Sequence, residues 1–296
     1  MKAIGITTAD NISTALVEGN HLIGPMRTYE QPPDAEPLLS TPLAGIAACI
    51  AREVQTVLAG SEIDIIGIGF PGIIRNGFIE ESPNLRQLKG ANIREALSGA
   101  LAQLGINVPV QVYNDADAMA AGLAATRGHL DRLIRVWTLG HGIGFGIYPW
   151  QEGIWEGGHV VVSLDPRERY CGCGGRGHLE GIMGNRAMRL RFLDMEPDEI
   201  FDNAHQGDPR CVEFLKLWHS ALAAATASSI HLAGPGKFFV TGFNARHLDL
   251  NLLHQYLHEM VKMSPLQGYV FEVVPGGDEI AVIGAAVNAL RAVSPS

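Results

Sequence analysis

The sequence predicts an α/β protein with parallel or mixed sheets. Short β-branched runs alternate with longer amphipathic stretches along the 296 residues, as they do in α/β folds. Hydrophobic residues make up 47% of the chain and charged residues 18%, which supplies buried cores and excludes disorder as the main state. A strand–turn–strand pattern near residue 4 recurs near residue 134. Because each occurrence opens one half of the chain, we expect two lobes of similar design.

The individual elements follow from local patterns. Helices are expected where apolar residues recur at helical spacing, and strands where β-branched runs end at turn residues. The predicted strands are two within 2–17, then 63–70, 108–113, 133–139, one after the glycine-rich turn that follows, 237–241 and 270–274. The predicted helices are 37–58, 93–104, 118–126 and 280–292, within a mostly helical region from 185 onward. Cys49 and Cys211 are predicted to be core thiols, and His219 a surface or capping histidine.

Charge and cysteine content exclude several classes of protein. The chain has 31 acidic and 22 basic residues and a net charge of −9, so binding to nucleic acid through bulk positive charge is not expected. The apolar stretches are too short to span a membrane, and the N-terminus does not resemble a secretion signal. Four cysteines are too few for a disulfide scaffold of this size. We therefore expect a cytoplasmic protein whose partners include neither nucleic acid nor membrane.

The first candidate site is the pair Asn114 and Asp115, directly after the predicted strand 108–113. Ligands of open α/β sheets bind at the carboxyl ends of strands, where Asp115 would be well placed as a general base. Asp115 could instead cap the following helix, since Asp and Asn are favoured N-caps. The pattern alone leaves both interpretations open.

The second candidate is the stretch 138–146, Thr-Leu-Gly-His-Gly-Ile-Gly-Phe-Gly, between two predicted strands. Glycines at alternate positions let backbone N–H groups face an anion. A glycine-rich hairpin without a ligand has the same pattern, and the spacing matches neither a Walker loop nor a Rossmann fingerprint. An anion site is therefore one of two interpretations.

The third candidate is a set of two histidines and two cysteines within twenty residues, His159, Cys171, Cys173 and His178. Both residue types are good zinc ligands, and four of them suit a closed tetrahedral site. Glycines at 172, 174, 175 and 177 would let a tight loop wrap the ion. A buried Cys-x-Cys pair beside exposed histidines is the alternative, but the segment has little core-forming power. The sequence therefore predicts a structural zinc site.

Together these stretches resemble the ROK family, which contains bacterial sugar kinases, N-acylhexosamine kinases and sugar-responsive repressors. The similar motifs run in order along nearly the whole chain: Gly-Ile-Gly-Phe-Pro-Gly at 67–72, Ser-Pro-Asn-Leu at 82–85, Tyr-Asn-Asp-Ala-Asp-Ala at 113–118, Leu-Gly-His-Gly-Ile-Gly at 139–144, Glu-Gly-Gly-His at 156–159 and Cys-Gly-Cys-Gly-Gly-Arg-Gly-His-Leu-Glu at 171–180. The last two are highly specific at this spacing.

The resemblance implies an actin-like (ribonuclease H-like) two-lobed sugar kinase fold with a zinc-binding loop at 156–180. It assigns residues 1–115 and a C-terminal helix at 280–296 to a small lobe, and residues 116–279 to a large lobe. The chain starts at the first strand of the kinase fold, so we expect a kinase-type member rather than a repressor with a helix-turn-helix domain. Family members are commonly oligomers, which implies a homo-oligomer here.

The resemblance also implies an ATP-dependent kinase that phosphorylates a hexose, glucose or an N-acylhexosamine, with Asp115 as the catalytic base. The residues implied to bind the sugar are Asn84, Asn114, Asp115, Glu156, His159 and Glu180. The residues implied to bind ATP, which would carry a Mg²⁺ ion, are Gly140, His141, Gly142, Gly144 and Gly242. The implied ligands of a structural Zn²⁺ ion are His159, Cys171, Cys173 and His178.

The nucleotide side departs from the family pattern. The first phosphate loop, Asp-x-Gly-Gly-Thr in the family, is Thr7-Thr8-Ala9-Asp10-Asn11 here, so Asp10 is the one carboxylate that could replace the missing aspartate. His141 stands where the family has threonine, and Gly242-Phe243-Asn244 replaces a Gly-Gly run. His178 replaces a third zinc cysteine, a substitution that zinc tolerates. A second hypothesis therefore stays open: a catalytically impaired sugar-binding protein with an eroded nucleotide site.

Overall fold

The prediction of an α/β protein is confirmed by the computed structural model, which describes residues 1–8, 11–29, 40–82, 85–153 and 156–293. The strands are β1 Lys2–Thr7, β2 Ser13–Glu18, β3 His21–Thr28, β4 Ile65–Phe70, β5 Ile73–Arg75, β6 Phe78–Glu81, β7 Val110–Asn114, β8 Ile134–Leu139, β9 Ile143–Tyr148, β10 Lys237–Thr241 and β11 Val270–Val273. The α-helices are α1 Leu43–Leu58, α2 Ile93–Gln103, α3 Asp115–Thr126, α4 Glu180–Met183, α5 Asn185–Arg191, α6 Pro197–His205, α7 Pro209–Ala233, α8 Leu250–Met260 and α9 Asp278–Val293. None of the helices in the described ranges has the length and apolar character needed to cross a membrane.

The chain divides into two compact units. The first comprises Met1–Ile134, Gly146–Ile154 and Gly277–Ser296, and the second comprises Arg135–Phe145 and Trp155–Gly276. Helix α3 lies in the first unit because it packs along α9, whereas the boundary expected at residue 115 assigns it to the large lobe.

The first unit is built on a five-stranded sheet in the order β3-β2-β1-β4-β7. β1, β2 and β3 pair antiparallel, whereas β1, β4 and β7 run parallel. The register places Thr7 beside Gly69 and Phe70 beside Asn114. The carboxyl ends of the three parallel strands therefore meet at one edge, where ligands bind in sheets of this kind.

Helices cover both faces of this sheet, and α9 approaches its face at very short range. Helices α1 and α2 bury their apolar sides in one cluster with β1, β4 and β7. On the other face, a methyl group on Gly5 would lie 1.9 Å from the carbonyl oxygen of Val282, and one on Gly67 would lie 2.0 Å from that of Ala285. Only glycine lets the backbones of helix and strand come this close.

The second unit packs helices around a four-stranded sheet in the order β11-β10-β8-β9. Helix α7 buries Trp218, Leu222 and Ile230 in a core that also contains Trp137 and Phe238. β8 and β9 are neighbours here as β1 and β2 are in the first unit. The recurrence of the strand–turn–strand pattern is thereby confirmed.

A buried arginine ties β8 to the end of α7. The Arg135 side chain is fully buried, and its Nη1 donates to the carbonyl oxygen of Ser229 at 3.1 Å and to the Ser229 hydroxyl at 3.0 Å. Its Nη2 donates to the carbonyl oxygen of Gly234 at 2.8 Å, and the guanidinium lies 4.0 Å from the centroid of the Phe238 ring. Burial lowers the pKa of Arg135 to about 10.

Several elements differ from the prediction. Helix α1 begins at Leu43, after Pro42, and residues 37–39 of the predicted helix lie outside the described residues. Helix α3 begins at Asp115 rather than at 118. Strand β3 and the hairpin of β5 and β6 are absent from the prediction. Strand β3 contains Gly24 and Pro25, which are typical of turns but are tolerated in an edge strand.

Predictions for three side chains outside the candidate sites are confirmed in two cases and wrong in one. Cys49 and Cys211 are buried, as predicted. The prediction for His219 is wrong, because its side chain is fully buried. Its Nδ1 lies 2.8 Å from the carbonyl oxygen of Leu215, and its Nε2 accepts the backbone N–H of Asp249 at 2.8 Å. Burial lowers the pKa of His219, which keeps the ring neutral and able to accept that bond.

Candidate functional site

The pair Asn114 and Asp115 lies where β7 ends and α3 begins. Asn114 is the N-cap: its Oδ1 accepts the backbone N–H of Ala116 at 2.8 Å, and its Nδ2 donates to the carbonyl oxygen of Gly72 at 2.9 Å. The interpretation of Asp115 as the cap is therefore wrong. Asp115 is the first helical residue, and its Oδ1 lies 2.9 Å from the N–H of Ala116, where the helix dipole favours a negative charge.

The end of β1 lies at the same edge of the sheet. The backbone N–H and the hydroxyl of Thr8 both donate to the carbonyl oxygen of Gly69, at 3.1 Å and 3.2 Å. Thr7 is buried. Asp10, the carboxylate that the sequence offered for this loop, and Asn84, a predicted sugar ligand, lie outside the described residues. The described part of the loop therefore presents hydroxyl groups that are engaged within the unit or buried.

The glycine-rich loop, residues 139–144, joins β8 to β9 in the second unit. Its ends are held by hydrogen bonds from Gly140 N–H to the carbonyl oxygen of Gly142, 3.1 Å, and from Gly144 N–H to the hydroxyl of Thr138, 3.1 Å. Gly242 packs on the start of the loop with a positive φ of 94°, and a methyl group there would lie 2.4 Å from the carbonyl oxygen of Leu139. The predicted nucleotide residues of this unit are thus brought together.

Two departures from the family pattern meet at this loop. The rings of His141 and Phe243 are both exposed, and they form an edge-to-face pair with 5.1 Å between their centroids. A methyl group on Gly140 would lie 3.1 Å from the Phe243 ring. The aromatic pair therefore covers part of the loop, a contact that no pattern in the sequence predicts.

Two buried asparagines, Asn185 and Asn244, support the loop, and the sequence pattern predicts this role for neither. Asn244 donates to the side-chain oxygen of Asn185 at 2.6 Å and to the carbonyl oxygen of Gly140 at 3.5 Å. The backbone N–H of Asn185 donates to the same oxygen at 3.2 Å. The three residues are far apart in sequence, so only the fold reveals that they form one cluster.

The metal cluster, defined as His159, Cys171, Cys173 and His178, brings together the four side chains that the sequence suggests as zinc ligands. One potential ligand atom from each residue lies within 4.8 Å of all the others. The two sulfurs are 3.4 Å apart, and Cys173 Sγ is 3.3 Å from His178 Nδ1. Two sulfur ligands, each about 2.3 Å from a tetrahedral zinc ion, would lie about 3.8 Å apart. The donor set and its spacing are therefore compatible with zinc.

The charges around His159 show why this position suits a cation. Glu156 Oε2 lies 3.4 Å from its Nδ1, and Glu180 Oε1 lies 3.8 Å from its Nε2. The sulfur of Cys171 and the two carboxylates raise the pKa of His159 to about 12. Burial and the neighbouring His159 charge lower the pKa of His178. Anionic groups therefore gather at one imidazole, and a metal ion bound there would partly neutralise them.

Predicted sugar-binding residues of this unit surround the same point. Glu156 and Glu180 both contact His159; Glu156 precedes the 3-10 turn at Gly157–His159, and Glu180 begins α4. Gly158 lets this turn pack on β9, since a methyl group there would lie 2.1 Å from the carbonyl oxygen of Ile143. Because both carboxylates contact His159, which belongs to the metal cluster, the position of these side chains depends on that of the cluster.

Comparisons with known proteins identify the family. The model of the ROK family matches residues 9–292. The chain belongs to the ROK family. It is 30% identical to a glucokinase of Pyrobaculum calidifontis over 254 residues, 81% of this chain and 83% of the relative. It is 31% identical to a glucokinase of Thermotoga maritima over 273 residues, 80% of this chain and 82% of the relative.

Solved structures of the ROK family have the same fold. The ROK hexokinase of Thermus thermophilus superimposes with a TM-score of 0.80 at 23% identity, covering 99% of each chain. A ROK family glucokinase of Streptomyces griseus, solved in complex with glucose and AMPPNP, gives a TM-score of 0.70 at 22% identity over 98% of this chain and 100% of that chain. At these identities the likeness establishes the actin-like kinase fold.

Proposed function

We propose that this chain is an ATP-dependent sugar kinase that phosphorylates a hexose, with glucose as the first candidate. The observation that carries the proposal is Asp115 at the carboxyl end of β7, within its family motif, in a chain whose relatives above are glucokinases. A kinase specific for an N-acylhexosamine is the nearest variant, because N-acetylmannosamine kinase of Yersinia pestis is 27% identical over 210 residues, 64% of this chain and 68% of that one.

In the proposed reaction, a sugar hydroxyl oxygen forms a bond to the γ-phosphorus of ATP as the bond from that phosphorus to the ADP oxygen breaks. The hydroxyl proton moves to the carboxylate of Asp115, which acts as general base. Because Asn114 caps α3, the helix does not need the Asp115 carboxylate for its cap. The remaining task of the protein is to position the two substrates and balance their charge.

We propose that the sugar is bound by Asn84, Asn114, Asp115, Glu156, His159 and Glu180. The metal cluster is proposed to hold a structural Zn²⁺ ion, which would fix the orientation of His159 beside its two carboxylates. Elemental analysis of purified protein tests this assignment. We expect about one zinc per chain, lost in Cys171→Ser and kept in the matched control Cys49→Ser, whose thiol is buried outside the cluster. A zinc-free wild-type protein would contradict it.

The donor is proposed to bind at Gly140, His141, Gly142, Gly144 and Gly242, with Mg²⁺ carried by ATP to balance the phosphate charge. The glycine-rich loop supports this proposal because its backbone can approach a phosphate closely.

The homo-oligomeric state, the cytoplasmic location and the lobe boundaries expected from the sequence stay predictions.

The alternative, a catalytically impaired sugar-binding protein, rests on Thr7 in place of the family aspartate. The kinase relatives do not favour it. The two functions differ in one measurement, because an impaired protein would bind sugar in calorimetry and would bind neither ATP nor ADP.

A coupled assay of ADP release from zinc-replete protein tests the proposed function. The sugars compared are glucose, mannose, N-acetylglucosamine and N-acetylmannosamine, each with ATP and Mg²⁺. We expect turnover with at least one of them. Absence of turnover with every sugar and with other nucleoside triphosphates would overturn the proposal.

A further inference from the structure

The carboxylate of Glu180 contacts two parts of the second unit at once. Its Oε2 accepts the backbone N–H of Ile143, in the glycine-rich loop, at 3.1 Å. Its Oε1 lies 3.7 Å from Cys171 Sγ and 3.8 Å from His159 Nε2, both in the metal cluster. The side chain is about one-quarter exposed, with 27% of its surface accessible. One side chain therefore joins the loop to the cluster.

The backbone that follows Glu180 reinforces this connection. The bridging segment, residues 180–185, begins two residues after the cluster member His178 and lies along the loop. The N–H of Asn185 donates to the carbonyl oxygen of Gly140 at 3.2 Å. A methyl group on Gly184 would lie 2.9 Å from the carbonyl oxygen of His141. The bridging segment is thus in contact with the loop backbone at two points.

Both the N–H and the carbonyl oxygen of Ile143 are in close contact with neighbouring residues. Its N–H is held by Glu180, and its carbonyl oxygen lies against Gly158, next to His159. A methyl group on Gly142 would lie 2.6 Å from Glu180 Oε2, so that only a residue without a side chain lets the carboxylate reach the loop. Both peptide groups of Ile143 are therefore fixed by residues adjacent to, or in contact with, the metal cluster.

We propose that Glu180 is a positioning residue that couples the metal cluster to the glycine-rich loop, so that occupancy of the cluster sets the affinity for the phosphate-bearing donor. This role comes in addition to the sugar contact proposed above. It rests on the proposed function, because the loop is taken to be the donor site. With a metal bound, His159 and Cys171 would be fixed and would hold the Glu180 carboxylate at the N–H of Ile143. Without the metal, the carboxylate would lose these fixed neighbours, and the loop would become more mobile.

Amide hydrogen exchange tests the coupling without any turnover. The protein is compared in its zinc-loaded form and after chelation, and exchange is followed in the peptide that covers the loop. We expect Ile143 to exchange about tenfold faster after chelation, within the usual range of coupling between sites. Peptides from α3, in the first unit, serve as the internal control. Equal protection of Ile143 in the two forms would overturn the proposal.

Binding of the ATP analogue AMPPNP tests the consequence for the donor. Its dissociation constant is measured by calorimetry in the loaded and chelated forms of wild type, Glu180→Ala and the matched control Glu213→Ala. Glu213 is an exposed glutamate of α7 in the same unit, outside the proposed sugar, donor and metal sites. We expect chelation to weaken AMPPNP about tenfold in wild type and in Glu213→Ala, and to have no effect in Glu180→Ala, which binds weakly throughout.

Two further variants separate positioning from general damage to the fold. Glu180→Gln keeps one oxygen acceptor for Ile143 and should restore part of the affinity that Glu180→Ala loses. Gly142→Ala keeps the carboxylate and every cluster residue but displaces Oε2 from the loop, so it should reproduce the weak, chelation-insensitive binding of Glu180→Ala at full zinc content. Variants that respond to chelation as wild type does would overturn the coupling. Protein that binds no AMPPNP in any form would contradict the proposed function, and hydrogen exchange would still decide the coupling.

Discussion

The substitution Asp115→Asn tests the proposed catalytic base with little disturbance of the fold. The asparagine oxygen can still face the N–H of Ala116, which Asp115 Oδ1 contacts at 2.9 Å, and the cap of α3 is supplied by Asn114. What is lost is one negative charge in the first turn of the helix, which costs about 0.3–1 kcal/mol. We therefore expect the free energy of unfolding to fall by less than about 1 kcal/mol.

The catalytic effect should be much larger. A general base contributes about 10²–10⁴-fold to kcat, which corresponds to about 3–5 kcal/mol in the barrier. The assay is coupled ADP release under saturating sugar and ATP, with sugar affinity measured in parallel by calorimetry. We expect kcat to fall by at least about 10²-fold, because amide nitrogen cannot accept the hydroxyl proton.

The neighbouring carboxylate provides a matched control. Asp117 lies in the same turn of α3, is buried, and accepts the backbone N–H of Ile147 at 2.9 Å. Asp117→Asn removes the same charge and should lower stability by about 1–2 kcal/mol, while kcat stays within about tenfold of wild type. If Asp115→Asn retains kcat within that same margin, or if the two variants lose kcat equally, the assignment of Asp115 as base is refuted.

Three further predictions concern stability and can be checked by urea unfolding. Asn114→Ala removes the cap of α3 and the hydrogen bond to Gly72, so it should lower the free energy of unfolding by about 2 kcal/mol. Asn114→Asp keeps the cap and should lower it by about half as much. Equal losses in the two variants would contradict the separate contributions of the cap and the Gly72 bond. Arg135→Met removes three hydrogen bonds from a buried cation and should cost about 3 kcal/mol; an unchanged urea midpoint would contradict this role. Burial lowers the pKa of His219 in the folded protein below its ordinary value of 6.5. The contribution of the neutral ring to stability is therefore complete above pH 6.5 and is lost as the pH falls through the pKa of the folded state. Wild type should therefore lose more stability than His219→Gln between about pH 7 and 5, and parallel curves would contradict the assignment.

Much of the fold was predictable because local patterns and tertiary packing agree. Strand β4 is a continuous apolar run, and β7 and β8 are rich in β-branched and aromatic residues, so composition alone predicts their type. Strand β3 was missed because Gly24 and Pro25 interrupt it, and its place at the sheet edge, which tolerates them, is a tertiary property. The burial of His219 was missed for a related reason: a histidine on a helix becomes a core residue only when a distant N–H, here that of Asp249, requires its nitrogen.

The candidate site was likewise predictable from the sequence only in part. The metal cluster was predictable because its members lie within twenty residues and their side-chain chemistry is distinctive. The contact of Glu180 with Ile143 and the support of Gly140 by Asn244 were not, since they join segments that are far apart in the chain. Backbone N–H and C=O groups carry no signature in the sequence, so which of them a side chain meets is decided only when the sheet and helices assemble.

The close approach of α9 to the first sheet has a consequence for biosynthesis. The glycines of β1 and β4 that receive the helix, Gly5 and Gly67, emerge from the ribosome long before Val282 and Ala285. At about 5–20 residues per second, translation of the intervening chain takes roughly 15 to 55 s from β1 to α9. Throughout that interval the part of the sheet surface that α9 covers remains exposed on the nascent chain, so we expect this half of the molecule to bind chaperones that shield apolar surfaces on growing polypeptides.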